Sequence, residues 1–175
     1  MFKKILIPTD GSPLSAQSAN AGISYARATG AEVVALYVTQ PFAATIGFDG
    51  MSAAYAISDV DYEKANAEQA KKYLKSILDR AATADVKATV HAVSNFNIAD
   101  GIVQAAQDYG CDMIFIGSHG RSGLSRLILG SVTTKVLAMT HMPVLVYRVK
   151  DEPKPTKCVG RPMHKATREQ LRKDV

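Results

Sequence analysis

The chain has 175 residues, enough for one domain of ordinary size and too few for two. Apolar residues make up 47% of it and charged residues 21%, a mix that buries a core and argues against global disorder. No run approaches the roughly eighteen apolar residues of a membrane span, and the start has only Ile5-Leu6-Ile7 where a secretory signal needs a longer stretch. Cys111 and Cys158 match neither a disulfide framework nor a zinc spacing. These features point to a soluble, cytoplasmic protein. Charge is uneven: residues 151–175 hold 7 of the 21 basic residues and 4 of the 16 acidic ones. The first 150 residues are close to neutral, so the basic character belongs to the end of the chain.

Ile5-Leu6-Ile7 reads as a buried strand, continuous and apolar, ended by Pro8. Ser12 then supplies an N-cap and Pro13 the first helical position; Leu14, Ala19, Ile23 and Ala26 form one stripe, and Gly30 closes the helix. Residues 33–38 are a second strand. Residues 40–58 show no clear period, and a loop of that length is usually functional or mobile; it reads either as a flap near a ligand or as an irregular excursion. A helix over about 59–84 carries Ala67, Ala70, Leu74, Ile77 and Ala81, with Ser58 and Asp61 resembling a capping box. Residues 86–93 alternate, which suits an exposed edge strand. Asn97 caps a helix with Ile98, Ile102, Val103 and Ala106, closed by Gly110. Residues 111–116 form a buried strand, a Gly/Ser loop follows, a helix runs over 131–141, and 143–147 is the last strand. Five strands separated by four helices imply a doubly wound α/β fold: a five-stranded parallel sheet with helices on both faces. Residues 151–175, with Pro153, Pro155, Gly160 and Pro162, read as a flexible extension of this 1–150 body, in which 166–173 can form a short helix against a partner.

An open parallel sheet takes ligands outside the carboxyl ends of its strands, where strand order reverses. After the first strand comes Pro8-Thr9-Asp10-Gly11; after the fourth comes Gly117-Ser118-His119-Gly120, then nine residues, then Gly130-Ser131-Val132-Thr133. Gly117 and Gly120 let the backbone approach a ligand without a Cβ in the way. Gly130-Ser131 opens a helix whose first amides and positive dipole end favour an anion, and the hydroxyls of Ser131 and Thr133 can add donors to phosphate oxygens. The segment is neither a Walker loop, which needs Gly-Lys, nor a dinucleotide fingerprint after the first strand.

Gly117-x-x-Gly120, nine residues, then Gly130-Ser131 resembles the nucleotide-binding signature of the universal stress protein family. The likeness runs over about residues 1–149 and includes Ile5-Leu6-Ile7-Pro8-Thr9-Asp10-Gly11-Ser12, Leu36-Tyr37-Val38 and Met142-Pro143-Val144-Leu145-Val146. It implies strand order 3-2-1-4-5, a homodimer formed through the last strand near Val144 to Val146, and ATP at the carboxyl end of the sheet. In that picture Asp10 bonds the ribose, with Pro8 and Thr9 beside it. The Val38 backbone contacts adenine, Ile116 lies at the end of the fourth strand, and Gly117 and Gly120 let the loop close over the nucleotide. Gly130, Ser131, Val132 and Thr133 hold the phosphates, and Mg²⁺ arrives with them. The tail after Lys150 falls outside the resemblance.

Plainer roles compete for some of these residues. Asp10 also fits a structural turn, although Ser12 is the better cap and leaves Asp10 to face a ligand. His119 fits a general base or, better, an ordinary loop histidine, since no carboxylate or nucleophile pairs with it. Arg121 and Arg126 suit phosphate screening, a solvated face or a dimer contact. Cys111 reads as inert packing, and Cys158, beside Lys157, as weakly oxidisable. The function that fits best is an ATP-dependent regulator of an unknown protein partner in the stress response, with at most slow ATP hydrolysis. An enzyme using adenine nucleotides for hydrolysis or nucleotidyl transfer is the alternative. Tail-mediated binding of nucleic acid or an acidic surface ranks lowest, because 7 basic against 4 acidic residues leave the tail a modest net charge of +3.

Overall fold

A computed structural model describes residues 2–42, 58–120 and 129–148. The 40–58 loop for the most part, Arg121, Arg126, Cys158 and the 151–175 extension lie outside the described residues. The elements in chain order are β1 (Lys4–Thr9), α1 (Pro13–Thr29), β2 (Glu32–Thr39), α2 (Asp59–Thr83), β3 (Ala88–Ser94), α3 (Ile98–Asp108), β4 (Met113–Gly117), α4 (Ser131–Met139) and β5 (Val144–Tyr147). All pairings are parallel and the order is β3-β2-β1-β4-β5, the doubly wound arrangement expected. Among the described residues no helix is long and apolar enough to cross a membrane.

The period of two in the strands divides the core into two layers. Ile5, Ile7, Val33, Ala35, Met113 and Phe115 face α1 and α2, whose Ala19, Ile23, Ala26, Leu74 and Ile77 meet them. Leu6, Val34, Leu36, Ile114 and Ile116 face the other way, onto Ile102, Ala106 and Val136 of α3 and α4. Ile5, Leu6, Ile7, Leu36 and Ile114 are fully buried; each such side chain stabilises the fold by about 1.5–3 kcal/mol relative to exposure. β3 is an edge strand with alternating exposure, as its sequence pattern suggests.

The caps follow the sequence closely. The Ser15 N–H donates to Ser12 Oγ (3.1 Å) at the start of α1, the Asp61 N–H to Ser58 Oγ (3.1 Å) at α2, and the Ala99 N–H to Asn97 Oδ1 (3.1 Å) at α3. Ser58 Oγ in turn donates to Asp61 Oδ2 (2.7 Å), so this box closes through side chains. Several boundaries differ from expectation by one or two residues: β3 runs over Ala88–Ser94 and not 86–93, and β4 over Met113–Gly117 and not 111–116, so Cys111 precedes its strand. α4 stops at Met139, two residues early, because Thr140 turns to an extended conformation.

Pro8 does not end the first strand, which continues to Thr9. Lys4 shows why the proline is tolerated. Its carbonyl accepts the Asp112 N–H (2.9 Å) and its amide donates to Asp112 Oδ1 (3.1 Å), so Lys4 faces β4. Alternation puts the Pro8 nitrogen on that same side, and the β1–β4 register ends at Leu6↔Ile114. The missing N–H therefore faces a place where no ladder exists. Beyond that point β1 stays paired with β2 as far as Thr9↔Tyr37, and β4 with β5 as far as Gly117↔Tyr147. The two central strands part like a fork at their carboxyl ends.

Candidate functional site

A cavity of about 290 Å³ fills that fork. The end of β1 gives it Pro8, Thr9 and Asp10, β2 gives Val38, β4 and the loop after it give Ile116, Gly117 and Gly120, and the start of α4 gives Gly130, Ser131, Val132 and Thr133. All eleven residues singled out from the sequence thus line one space. Sequence reasoning left out Ser15, Tyr37, Ile98 and Ile102, and it set aside His119; these five complete the wall. Ile98 and Ile102 had a readable signal, since a helix that follows β3 must begin at the carboxyl end of the sheet.

The β1–α1 turn is shaped by short side chains. Asp10 Oδ1 accepts the Ser12 N–H (2.9 Å), and Thr9 Oγ1 accepts the Gly11 N–H (3.1 Å) while lying 3.1 Å from Ser15 Oγ. Asp10 therefore performs part of the turn role that competed with the ligand role, yet its side chain still lines the cavity. Gly11 sits at φ +77°, and a Cβ there would run into the ring of Tyr73 on α2. Tyr73 in turn packs on Tyr37, ring centroids 5.8 Å apart. Gly120 is constrained by space alone: a Cβ would collide with Asp10 Oδ2, so the post-β4 loop lies directly against that carboxylate.

The other wall is the N-terminus of α4. Gly130 is its N-cap and offers no side chain to the first-turn amides. The Gly130 N–H donates to the Ser118 carbonyl (2.8 Å), the Ser118 N–H to the Tyr147 carbonyl (2.8 Å), and Thr133 Oγ1 to the Gly117 carbonyl (2.8 Å). These bonds fix the helix end against β4 and β5. Uncapped amides and the positive dipole end then face the cavity, an arrangement that attracts an anion. The same cavity is lined by Asp10 and by the apolar residues Val38, Ile98, Ile102 and Ile116.

His119 Nδ1 is 3.0 Å from Ser118 Oγ, and its Nε2 is enclosed with no hydrogen-bond partner. A general base must reach the proton it takes, so this placement does not favour catalysis by His119. Cys111 lies outside the cavity wall, and burial pushes its thiol up to about 11, as befits a packing residue. Among the described residues no group of three His, Cys, Asp or Glu side chains gathers to hold a metal.

Comparison with known proteins bears on the whole of this body. Universal stress protein MJ0531 of Methanocaldococcus jannaschii is 34% identical over 150 residues, covering 85% of this chain and 83% of that protein. Universal stress protein YxiE of Bacillus subtilis is 32% identical over 152 residues, covering 85% and 100%. The solved structure of MJ0577 from Methanocaldococcus jannaschii superposes with a TM-score of 0.71 at 28% identity, covering 87% of this chain and 99% of that one. More distant structures share the fold: a universal stress protein in complex with cAMP (21% identity, TM-score 0.61, 84% and 97% covered) and an Arabidopsis thaliana family protein with AMP bound (12%, 0.61, 89% and 97%). The profile of the universal stress protein family itself matches residues 1–148, the span that holds the forked sheet and every residue of the cavity. By these likenesses, and by the strand order that the sheet displays, the chain belongs to the universal stress protein family.

Proposed function

We propose that the chain binds ATP in the fork between β1 and β4 and acts as a nucleotide-dependent regulator in a cytoplasmic stress response, with at most slow hydrolysis. The observation that carries this reading is the uncapped N-terminus of α4 opening on a cavity with apolar sides and one carboxylate. Backbone amides suit phosphate oxygens, an apolar slot suits a flat base, and a carboxylate suits sugar hydroxyls. In this reading Gly130, Ser131, Val132 and Thr133 hold the phosphates and Asp10 the ribose, with Pro8 and Thr9 beside it. The backbone of Val38 contacts adenine, next to Ile116, while Gly117 and Gly120 keep the loop close to the ligand. The family proteins solved with cAMP and AMP support the adenine part of the assignment. Any Mg²⁺ arrives with the phosphates. Slow hydrolysis is supported by His119, whose Nδ1 is engaged by Ser118 and whose Nε2 is enclosed.

The same reading makes the protein a homodimer through β5. That strand is the second edge of the sheet, and all four of its residues are partly exposed. An edge with apolar side chains and open backbone groups is a template for pairing with a second copy. Residues 1–150 are the nucleotide-binding body, and 151–175 a separate extension.

The test is direct. Small molecules released from freshly purified, denatured protein should include an adenine nucleotide, and ATP should bind on titration. Asp10→Ala should weaken ATP by about 10- to 100-fold, the cost of a lost hydrogen bond to a charged group. Gly120→Val, which drives a side chain into Asp10, should do at least as much. Equal affinity in the unmodified chain and both variants would remove the site from consideration.

A further inference from the structure

The corner of the molecule where β2 and β3 end presents side chains that the fold does not use. Phe96 stands in the turn from β3 to α3 and is 68% exposed, and Val60, in the first turn of α2, is 73% exposed. The turn that carries Phe96 is fixed on both sides. The Asn95 N–H donates to the Thr39 carbonyl (2.9 Å), Asn95 Oδ1 accepts the Asn97 N–H (2.9 Å), and the Phe96 carbonyl accepts Gln40 Nε2 (3.0 Å). The Gln40 carbonyl accepts the Tyr62 hydroxyl (3.3 Å), which ties the start of α2 to the same corner. An aromatic ring held out on a fixed backbone loses little freedom on contact and suits an interface anchor.

Charge decides what kind of partner fits. Residues 58–64 and 95–100 hold four acids, Asp59, Asp61, Glu63 and Asp100, all exposed, against one base, Lys64. The complement is a basic segment with interspersed apolar side chains. This chain has one: residues 151–175 carry 7 basic residues against 4 acidic, with Met163 and Leu171 among Arg161, Lys165, Arg168 and Arg172. It also starts in the right place. The chain leaves β5 at the carboxyl end of the sheet, and Phe96 follows β3 at that same end. β5 and β3 are the two edges, four strand spacings or about 19 Å apart. Residues 149–160 alone reach up to about 40 Å.

We propose that the basic segment 161–175 of the chain's own extension seats on this corner, its Met163 and Leu171 on Phe96 and Val60 and its bases toward the acids. Surface ion pairs are individually weak, so the ring supplies most of the hold, while the charges orient the segment and make the contact sensitive to salt. Tethering makes so small a patch sufficient. A linker of this length sets an effective concentration on the order of 1 mM, so a contact with a dissociation constant of about 0.1 mM is occupied about ten to one.

Paramagnetic broadening in the full chain tests the seating. The chain has two cysteines and Cys111 is buried, so a nitroxide reagent on the native protein attaches at Cys158. The amides of Val60, Asp61 and Asn95 to Asn97 should broaden most among the described residues, and those of Lys4 and Asp112, at the far end of the sheet, least. Phe96→Ala, at a position whose exposure leaves the fold intact, should lower the occupancy ratio about tenfold, to near even, and so halve the broadening. Arg168→Glu combined with Arg172→Glu, or about 0.5 M salt, should reduce it as far or further. Broadening confined to the surroundings of Arg148 overturns the proposal, as does broadening at Asn95 to Asn97 that Phe96→Ala or the charge reversal leaves unchanged. A mixture of isotope-labelled chain without nitroxide and unlabelled chain carrying it should show no broadening at the corner. Broadening there would assign the corner to the extension of a second copy and overturn seating within one chain.

Discussion

Gly11→Ala probes the turn that presents Asp10 to the cavity, and its cost can be divided between two causes. The residue sits at φ +77°, where a Cβ costs about 1–2 kcal/mol. The same Cβ would overlap the Tyr73 ring, and pushing that ring or the turn aside costs about 1–3 kcal/mol more. The single variant should therefore lose about 2–5 kcal/mol of unfolding free energy in urea, at an unchanged slope. In a Tyr73→Ala background the ring is gone and only the backbone cost remains. The two substitutions should thus couple by about 1–3 kcal/mol in a double-mutant cycle. Costs that add to within about 0.5 kcal/mol would refute the contact between Tyr73 and Gly11.

Other outcomes follow from burial, capping and charge. Leu36→Ala, at a fully buried position between β1 and β3, should cost about 2–5 kcal/mol, whereas Phe96→Ala, at 68% exposure, should stay within about 0.5 kcal/mol in the same urea assay. Ser12→Ala removes the acceptor for the Ser15 N–H and should cost about 1 kcal/mol by the same measure. The hydrogen bond from Lys87 to Glu32 (2.6 Å), with the nearby charges of Lys87 and Lys4, holds the Glu32 carboxyl below its ordinary 4.5. A depressed carboxyl stabilises the fold above the unfolded value and loses that effect as pH falls through the folded one. Lys87→Ala should accordingly move the Glu32 titration upward by carbon-13 NMR, and an unmoved titration would contradict the pairing. The Cys111 thiol, raised by burial from 9.0 to about 11, favours the folded state below pH 9 and loses that contribution as pH rises toward about 11. Peptide mapping after alkylation at pH 8 should find Cys111 unmodified in the native protein and modified after denaturation.

Much of the fold was legible because its signals are local. Ser12-Pro13, Ser58 and Asn97 mark helix starts through single side-chain bonds, and the three caps occur where those residues stand. The alternation of 86–93 announces an edge strand, and β3 at the sheet edge carries partly buried and exposed residues with none fully buried. The strand order came from likeness to a family and not from any residue pattern. Pro8 misled because a proline that ends a strand and one that faces a parting of strands read the same in one dimension; only the β1–β4 register separates them. Ser15 and Tyr37 were missed for a related reason. Ser15 enters the cavity wall through its bond with Thr9, six residues away, and Tyr37 faces the α1–α2 layer through Tyr73. The glycines at 117 and 120 were read as aids to ligand approach, and the structure adds a nearer cause for one of them: the Asp10 carboxylate occupies the place of a Gly120 side chain.

The central claim is that the fork at the carboxyl ends of β1 and β4 is a nucleotide site whose phosphate end is the N-terminus of α4. Backbone amide NMR during an ATP titration tests it most directly. The account predicts that the largest shifts fall on Ser131, Val132 and Thr133, with a second group at Thr9, Asp10 and Val38, and that residues at the opposite end of the sheet such as Lys4 and Asp112 stay still. Shifts centred elsewhere, or saturating ATP with no shift at Ser131 to Thr133, would contradict it.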